Sequence, residues 1–129
     1  MLAAAKLAAH SGVTLLAETF PTRIERGAGL PYIERLAYLA ELATVQLTDI
    51  EHLILVDAKA PVSFFAYPGK PSYLVPDTCE VHTLAAPEQD ILASLNKLNE
   101  AVGASLAEPA LQPAKRPGRP RGKLTAEKV

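Results

Sequence analysis

Residues 53–72 read LILVDAKAPVSFFAYPGKPS, and the reading of this stretch decides the fold. It opens on four consecutive apolar residues, Leu53-Ile54-Leu55-Val56. A short unbroken apolar run suits a strand buried on both faces, as in a parallel sheet covered by helices. The chain then turns through Asp57 and Pro61, carries the cluster Phe64-Phe65-Ala66-Tyr67, and closes on Pro68-Gly69-Lys70-Pro71. Two prolines around a Gly-Lys rule out helix and inner strand there. A buried strand followed by a stiff aromatic loop implies an α/β domain whose working edge lies at the carboxyl end of the strand.

The flanking sequence alternates in the same way. Upstream, Tyr32 to Thr48 reads as helix, with Leu36, Leu39, Ala43 and Leu47 spaced for one buried face. Before it lies a loop, Glu18 to Pro31, and before that the strand-like run Val13 to Ala17. Leu2 to His10 is rich in alanine and predicts a helix that Gly12 ends. Downstream, Tyr73-Leu74-Val75 and Val81 to Leu84 predict extended segments. The last helix has Pro87 in its first turn, Glu88 and Asp90 at the positive end of its dipole, and Gly103 at its end. Its apolar stripe is Ile91, Leu95, Leu98 and Val102. Helices alternating with short buried strands predict a parallel α/β sheet. A chain that opens on a helix running straight into a buried strand looks like a βα unit without its first strand.

The 129 residues suffice for one domain, and an apolar content of 49% with 21% charged residues is ordinary for a soluble globular protein. One cysteine, Cys79, excludes an internal disulfide and points to a reducing compartment, so the cytoplasm is expected. No apolar run reaches the length of a membrane span, and the N-terminus, broken by Lys6 and His10, does not read as a signal peptide. Charge divides along the chain. Residues 1–108 hold 7 Lys+Arg against 13 Asp+Glu, a net −6, and residues 109–129 hold 6 against 1, a net +5. This predicts an acidic body joined to a basic tail or linker. Pro109 to Gly122, with four prolines and two glycines, should be extended and solvated. Lys123 to Val129 resembles a helix cap and first turn, with Thr125 as the N-cap.

Short motifs carry little chemistry. Gly69-Lys70 is no phosphate-binding loop, because Phe64 stands where its first glycine belongs and Pro71 where Ser or Thr belongs. Gly27-Ala28-Gly29 lacks the third glycine of a dinucleotide fingerprint, since Tyr32 is there. Arg23 and Arg26 have the chemistry to meet a phosphate or carboxylate; a solvated loop or a salt bridge to Glu25 is an equal expectation. Cys79 and His82 are two ligands, too few for a metal site, and His10 and His52 lie far off in sequence, so no metal ligand set is expected. Glu18 ends a strand but has no catalytic partner, and no catalytic residue is assigned. In the tail, Gly118-Arg119-Pro120 within Arg116 to Lys123 resembles an AT-hook for A·T-rich minor grooves. An interdomain linker has the same composition and outweighs it, because short motifs match by chance.

Longer patterns carry a family resemblance. Glu18-Thr19-Phe20-Pro21, Arg26-Gly27-Ala28-Gly29-Leu30-Pro31, Glu34-Arg35-Leu36 with Tyr38, and Pro61-Val62 with Phe64 to Ser72 form one ordered set. Together they resemble the central domain of thiamine diphosphate-dependent enzymes of the acetolactate synthase-like large-subunit group, relatives of benzoylformate decarboxylase. The resemblance implies a Rossmann-like (DHS-like) parallel sheet with flanking helices over residues 1–108, lacking its first strand. It further implies a Pro/Arg-rich linker over 109–122 and the start of the C-terminal cofactor-binding domain at 123–129. In such enzymes the first domain supplies the glutamate that activates thiamine diphosphate. The third carries the Gly-Asp-Gly…Asn motif for Mg²⁺ and the diphosphate, and no Gly-Asp-Gly occurs in this chain. The central domain is mainly structural, and in some relatives it binds FAD or a nucleotide. The matching positions here are Arg26, Gly27 and Gly29; the acetolactate synthase pattern has Met-Gly where this chain has Arg26-Gly27, which argues against FAD. The implied parent acts on 2-oxo acids as a homo-oligomer, and this chain's partners would be its other domains or subunits, with no nucleic acid or membrane. Alone, the chain is expected to be inactive, marginally stable and prone to associate through exposed sheet edges.

Overall fold

A computed structural model describes residues 1–119, 121–123 and 125–126. Among these residues, three helices and four strands run in the order α1 (Leu2–Ser11), β1 (Leu16–Ala17), β2 (Glu34–Arg35), α2 (Ala40–Leu47), β3 (His52–Val56), β4 (Glu80–Ala85) and α3 (Ile91–Val102). The fold is mixed α/β. Both pairings are parallel, β1 with β2 and β3 with β4, in two separate two-stranded sheets.

The apolar run at Leu53 forms β3, with His52 opposite Glu80, Leu53 opposite Val81 and Ile54 opposite His82. Between Leu55 and Val56 the register shifts, so that Leu84 is left over as a bulge. The expectation of burial on both faces is corrected here. Ile54 is 46% exposed, and residues 80–83 of β4 are exposed. A strand paired on one side only leaves apolar side chains without cover, however apolar its sequence.

The connection from β3 to β4 is the aromatic loop. Parallel strands are usually joined through a helix; here residues 57–79 fold back on themselves instead. Ser63 N–H donates to the Ser72 carbonyl at 2.7 Å, Leu74 N–H to the Pro61 carbonyl at 3.0 Å, and Val62 bridges Tyr73 antiparallel. This delivers Leu74 into the core with Ala40, Ala43 and Leu47 of α2, against which Leu16, Leu36, Ala37 and Ile50 pack. One small cluster thus links β1, β2, α2 and the loop.

The helix expected over 32–48 begins only at Ala40, and its first residues form strand β2. Gln46 accounts for the difference. Its side-chain oxygen accepts from Ala37 N–H at 2.8 Å, and its amide nitrogen donates to Glu34 Oε1 at 2.8 Å and to the Arg35 carbonyl at 3.3 Å. It holds the extended segment beside the helix that would otherwise continue through it. The strand expected over 13–17 is likewise reduced to Leu16–Ala17.

Helix α3 starts at Ile91, with Asp90 as N-cap accepting from Ala93 N–H at 2.9 Å. Pro87 therefore lies upstream of the helix, in a turn closed by Gln89 N–H on the Ala86 carbonyl, rather than in its first turn. Gly12 and Gly103 end α1 and α3 in the left-handed conformation, at φ 74° and 78°. Helix α1 packs on α3, and buried Asn99 donates to the Ala3 carbonyl at 3.0 Å. Lys6 Nζ donates to the Ser105 carbonyl at 2.8 Å.

The tail is not wholly solvated. Gln112 N–H donates to the Leu30 carbonyl, Gly29 N–H donates to the Gln112 carbonyl, both at 2.9 Å, and Pro31 bridges Leu111 antiparallel. Of the AT-hook-like core, Pro120 lies outside the described residues, as do Leu124 and 127–129 of the expected final helix. The chain presents 9761 Å² to solvent, where a folded monomer of its 13.7 kDa presents about 6,600 Å². The extended tail and uncovered apolar side chains such as Val45, Leu92 and Leu106 are part of this excess.

Candidate functional site

The segments that follow the carboxyl ends of β1, β2 and β3 come together. Glu18, just after β1, accepts through Oε1 from Lys59 N–H at 3.2 Å and so ties the loop after β1 to the loop after β3. Glu18 at the strand end is thus a brace between loops, and Thr19 beside it is buried.

Aromatic side chains from three segments gather there. Phe20 follows β1, Tyr38 follows β2, and Phe64, Phe65 and Tyr67 come from the loop after β3. Phe20 and Phe64 meet edge to face at 4.9 Å, Tyr38 and Phe64 stack at 5.7 Å, and Tyr38 and Phe65 meet at 86°. Phe65 continues the chain of contacts to Tyr67 at 6.0 Å. Such pairs add about 0.5–1.5 kcal/mol each beyond area burial. Yet all five side chains remain between 44% and 62% exposed. The result is an aromatic platform whose rings pack on one another and stay half open to solvent.

Lys70 lies beside the platform. Its ammonium forms an ion pair with Glu41 of α2 and sits 5.4 Å from the Tyr67 ring centroid. A lysine engaged by a carboxylate and an aromatic face is a fastening between loop and helix. Ala40, Glu41, Thr44, Lys70, Pro71 and Leu74 line a shallow groove next to it.

The structure places Arg26 and Gly29 on the surface, with Gly27 half-buried. Gly27 and Gly29 have φ of 119° and 78°, so side chains would be strained at both. The Gly29 amide is engaged by Gln112 of the tail. Arg23 pairs with Glu25 at 3.4 Å, both side chains largely exposed. Arg26, Gly27 and Gly29 share a loop at some remove in sequence from every aromatic of the platform except Phe20.

At the opposite, amino-terminal edge of β3 and β4, sequence reasoning passed over a cluster. His82 faces His52 and Glu80. His52 Nδ1 lies 3.2 Å from His82 Nε2 and 3.6 Å from Glu80 Oε2, which is 3.9 Å from His82 Nε2. The signal in the sequence was pairing: once β3 and β4 are aligned in parallel, His52 faces Glu80, and the two-residue period returns His82 to the same face.

Fold and site together define a mixed α/β chain with small parallel sheets, three helices and an aromatic platform at the carboxyl edge. Comparison with known proteins adds a particular relative. The chain is 51% identical over 128 residues to a Mycobacterium tuberculosis protein provisionally named acetolactate synthase large subunit IlvX. The alignment takes in 98% of this chain and 24% of the relative, so the chain spans about a quarter of the length of the curated relative it matches. No family model matches the chain, and no solved structure matches it.

Proposed function

We propose that this chain is the central-domain segment of an acetolactate synthase-like, thiamine diphosphate-dependent enzyme, and that its work is to dock rather than to react. The observation that carries this reading is the 51% identity to the IlvX relative across nearly the whole chain. The parallel strand pairs and the half-open aromatic platform support it. We assign residues 1–108 to the Rossmann-like central domain, 109–122 to the linker and 123–129 to the start of the cofactor-binding domain. In the whole enzyme, thiamine diphosphate and Mg²⁺ would supply the chemistry, breaking or making a bond beside the carbonyl of a 2-oxo acid. This chain's own share is structural: Glu18 and Lys59 brace the edge, and the platform and the outer face of α2 meet neighbouring domains or subunits. A cytoplasmic location follows from the same reading.

Reconstitution tests it. Purified alone with thiamine diphosphate, Mg²⁺ and a 2-oxo acid, the chain should give no turnover; mixed with domains carrying the activating glutamate and the Gly-Asp-Gly…Asn motif, it should bind them. Turnover by the chain alone, or no binding to such domains, would overturn the proposal. We place any nucleotide contact of the domain at Arg26, Gly27 and Gly29. Calorimetric titration with FAD and with ADP, silent for both, would remove that part. The basic run of the tail acts as a linker in this reading, and a salt-sensitive gel shift on A·T-rich duplex, lost in Arg119→Ala, would instead favour the DNA hook.

A further inference from the structure

We propose that His52, Glu80 and His82 form a binding site for a divalent transition-metal ion of the zinc class. The inference stands on geometry apart from the thiamine reading. The three facing atoms, His52 Nδ1, His82 Nε2 and Glu80 Oε2, are separated by 3.2, 3.6 and 3.9 Å. The nearest point equidistant from all three lies in their plane, about 2.1 Å from each, and bonds of about 2.2 Å, at the upper end of the range for zinc, lift the ion out of that plane. With the ion out of their plane, the three ligands make one face of a tetrahedron. All three residues are exposed, so an ion can enter from solvent and water can complete the fourth position.

The donor set selects the ion. Two imidazoles and one carboxylate suit Zn²⁺, Ni²⁺ or Cu²⁺, whereas Mg²⁺ prefers an octahedron of oxygens with several waters. The site is therefore distinct in kind from one that holds Mg²⁺ on a diphosphate. Without an ion, the two ring nitrogens 3.2 Å apart share one proton, which one donates and the other accepts. Binding needs a lone pair on both, so that proton shifts to the outward nitrogen of its own ring, and no co-reactant is required. The bound ion would join two neighbouring strands through residues 30 apart in sequence. It would close the entire aromatic connection into a loop fastened at its base.

The test is calorimetric titration of the full chain with ZnCl₂ in excess MgCl₂, with thermal melts alongside. One Zn²⁺ per chain should bind, and it should raise the melting temperature. His52→Ala and His82→Ala should each weaken binding by at least about 10-fold and abolish the thermal shift, with Glu80→Gln weakening it less. Co²⁺ should give the visible ligand-field absorption of a four-coordinate site, lost in the same variants. Their far-UV circular dichroism should match the parent, since all three side chains are on the surface. No heat with Zn²⁺, one ion per two chains, or affinity that falls with His10→Ala instead of His52→Ala would each overturn the proposal. If one histidine variant loses its fold, the other and Glu80→Gln decide.

Discussion

Helices α2 and α3 are built to different standards. Helix α3 has a side-chain cap at Asp90, a left-handed glycine at Gly103 and its contacts with α1 on one face. Helix α2 has no side-chain cap, starting from Leu39, and ends at Thr48 in a right-handed conformation. Its core face, Ala40, Ala43 and Leu47, is buried. Leu39, Leu42 and Val45, at intervals of three, form a second apolar face that is 52%, 55% and 72% exposed. One helix is finished by its own sequence. The other is apolar on two sides while this chain covers one, and large apolar surface left open marks an interaction face.

The contrast gives graded expectations. Leu47→Ala empties the centre of the small core and should cost about 2–5 kcal/mol in urea unfolding; a loss under about 1 kcal/mol would mean that the α2 core is already slack. Asp90→Ala removes the cap that α2 never had and should cost about 1 kcal/mol, with Asp90→Asn restoring most of it. Lys70→Met breaks a half-exposed ion pair, for which about 0.5 kcal/mol is expected, shrinking further in high salt. Leu42→Lys with Val45→Lys should change stability by no more than about 0.5 kcal/mol. That pair should nonetheless suppress self-association, measured by light scattering, whereas the same change at Asn96 and Glu100, exposed on α3, should not.

What the sequence discloses follows the same division. Helix α3, strand β3, strand β4 and both helix-ending glycines could be read from local pattern, because the residues that determine them are neighbours in sequence. The start of α2 could not, because Gln46 decides it by binding the Ala37 and Arg35 backbone and the Glu34 side chain, nine to twelve residues earlier. Exposure of β3 was equally hidden, since an apolar sequence states what a strand prefers to touch and says nothing of what is there. At the candidate sites, the aromatic loop was visible as a run, but Phe20 and Tyr38 join it only through the meeting of strand ends. His52 reaches His82 only through parallel register, which no spacing rule within one segment contains. Long-range pairing is the part a linear reading misses.

The three hydrogen bonds between the 29–30 backbone and Gln112, two from backbone and one from its side chain, have a mechanical consequence. They move the true origin of the tether from Pro109 to Pro113. Residues 113–119, stiffened by Pro113 and Pro117, extend about 20 Å at roughly 3.1 Å per residue. Whatever that arm carries is confined to a short radius around residues 27–31, and a pull on it is felt first at Gly29.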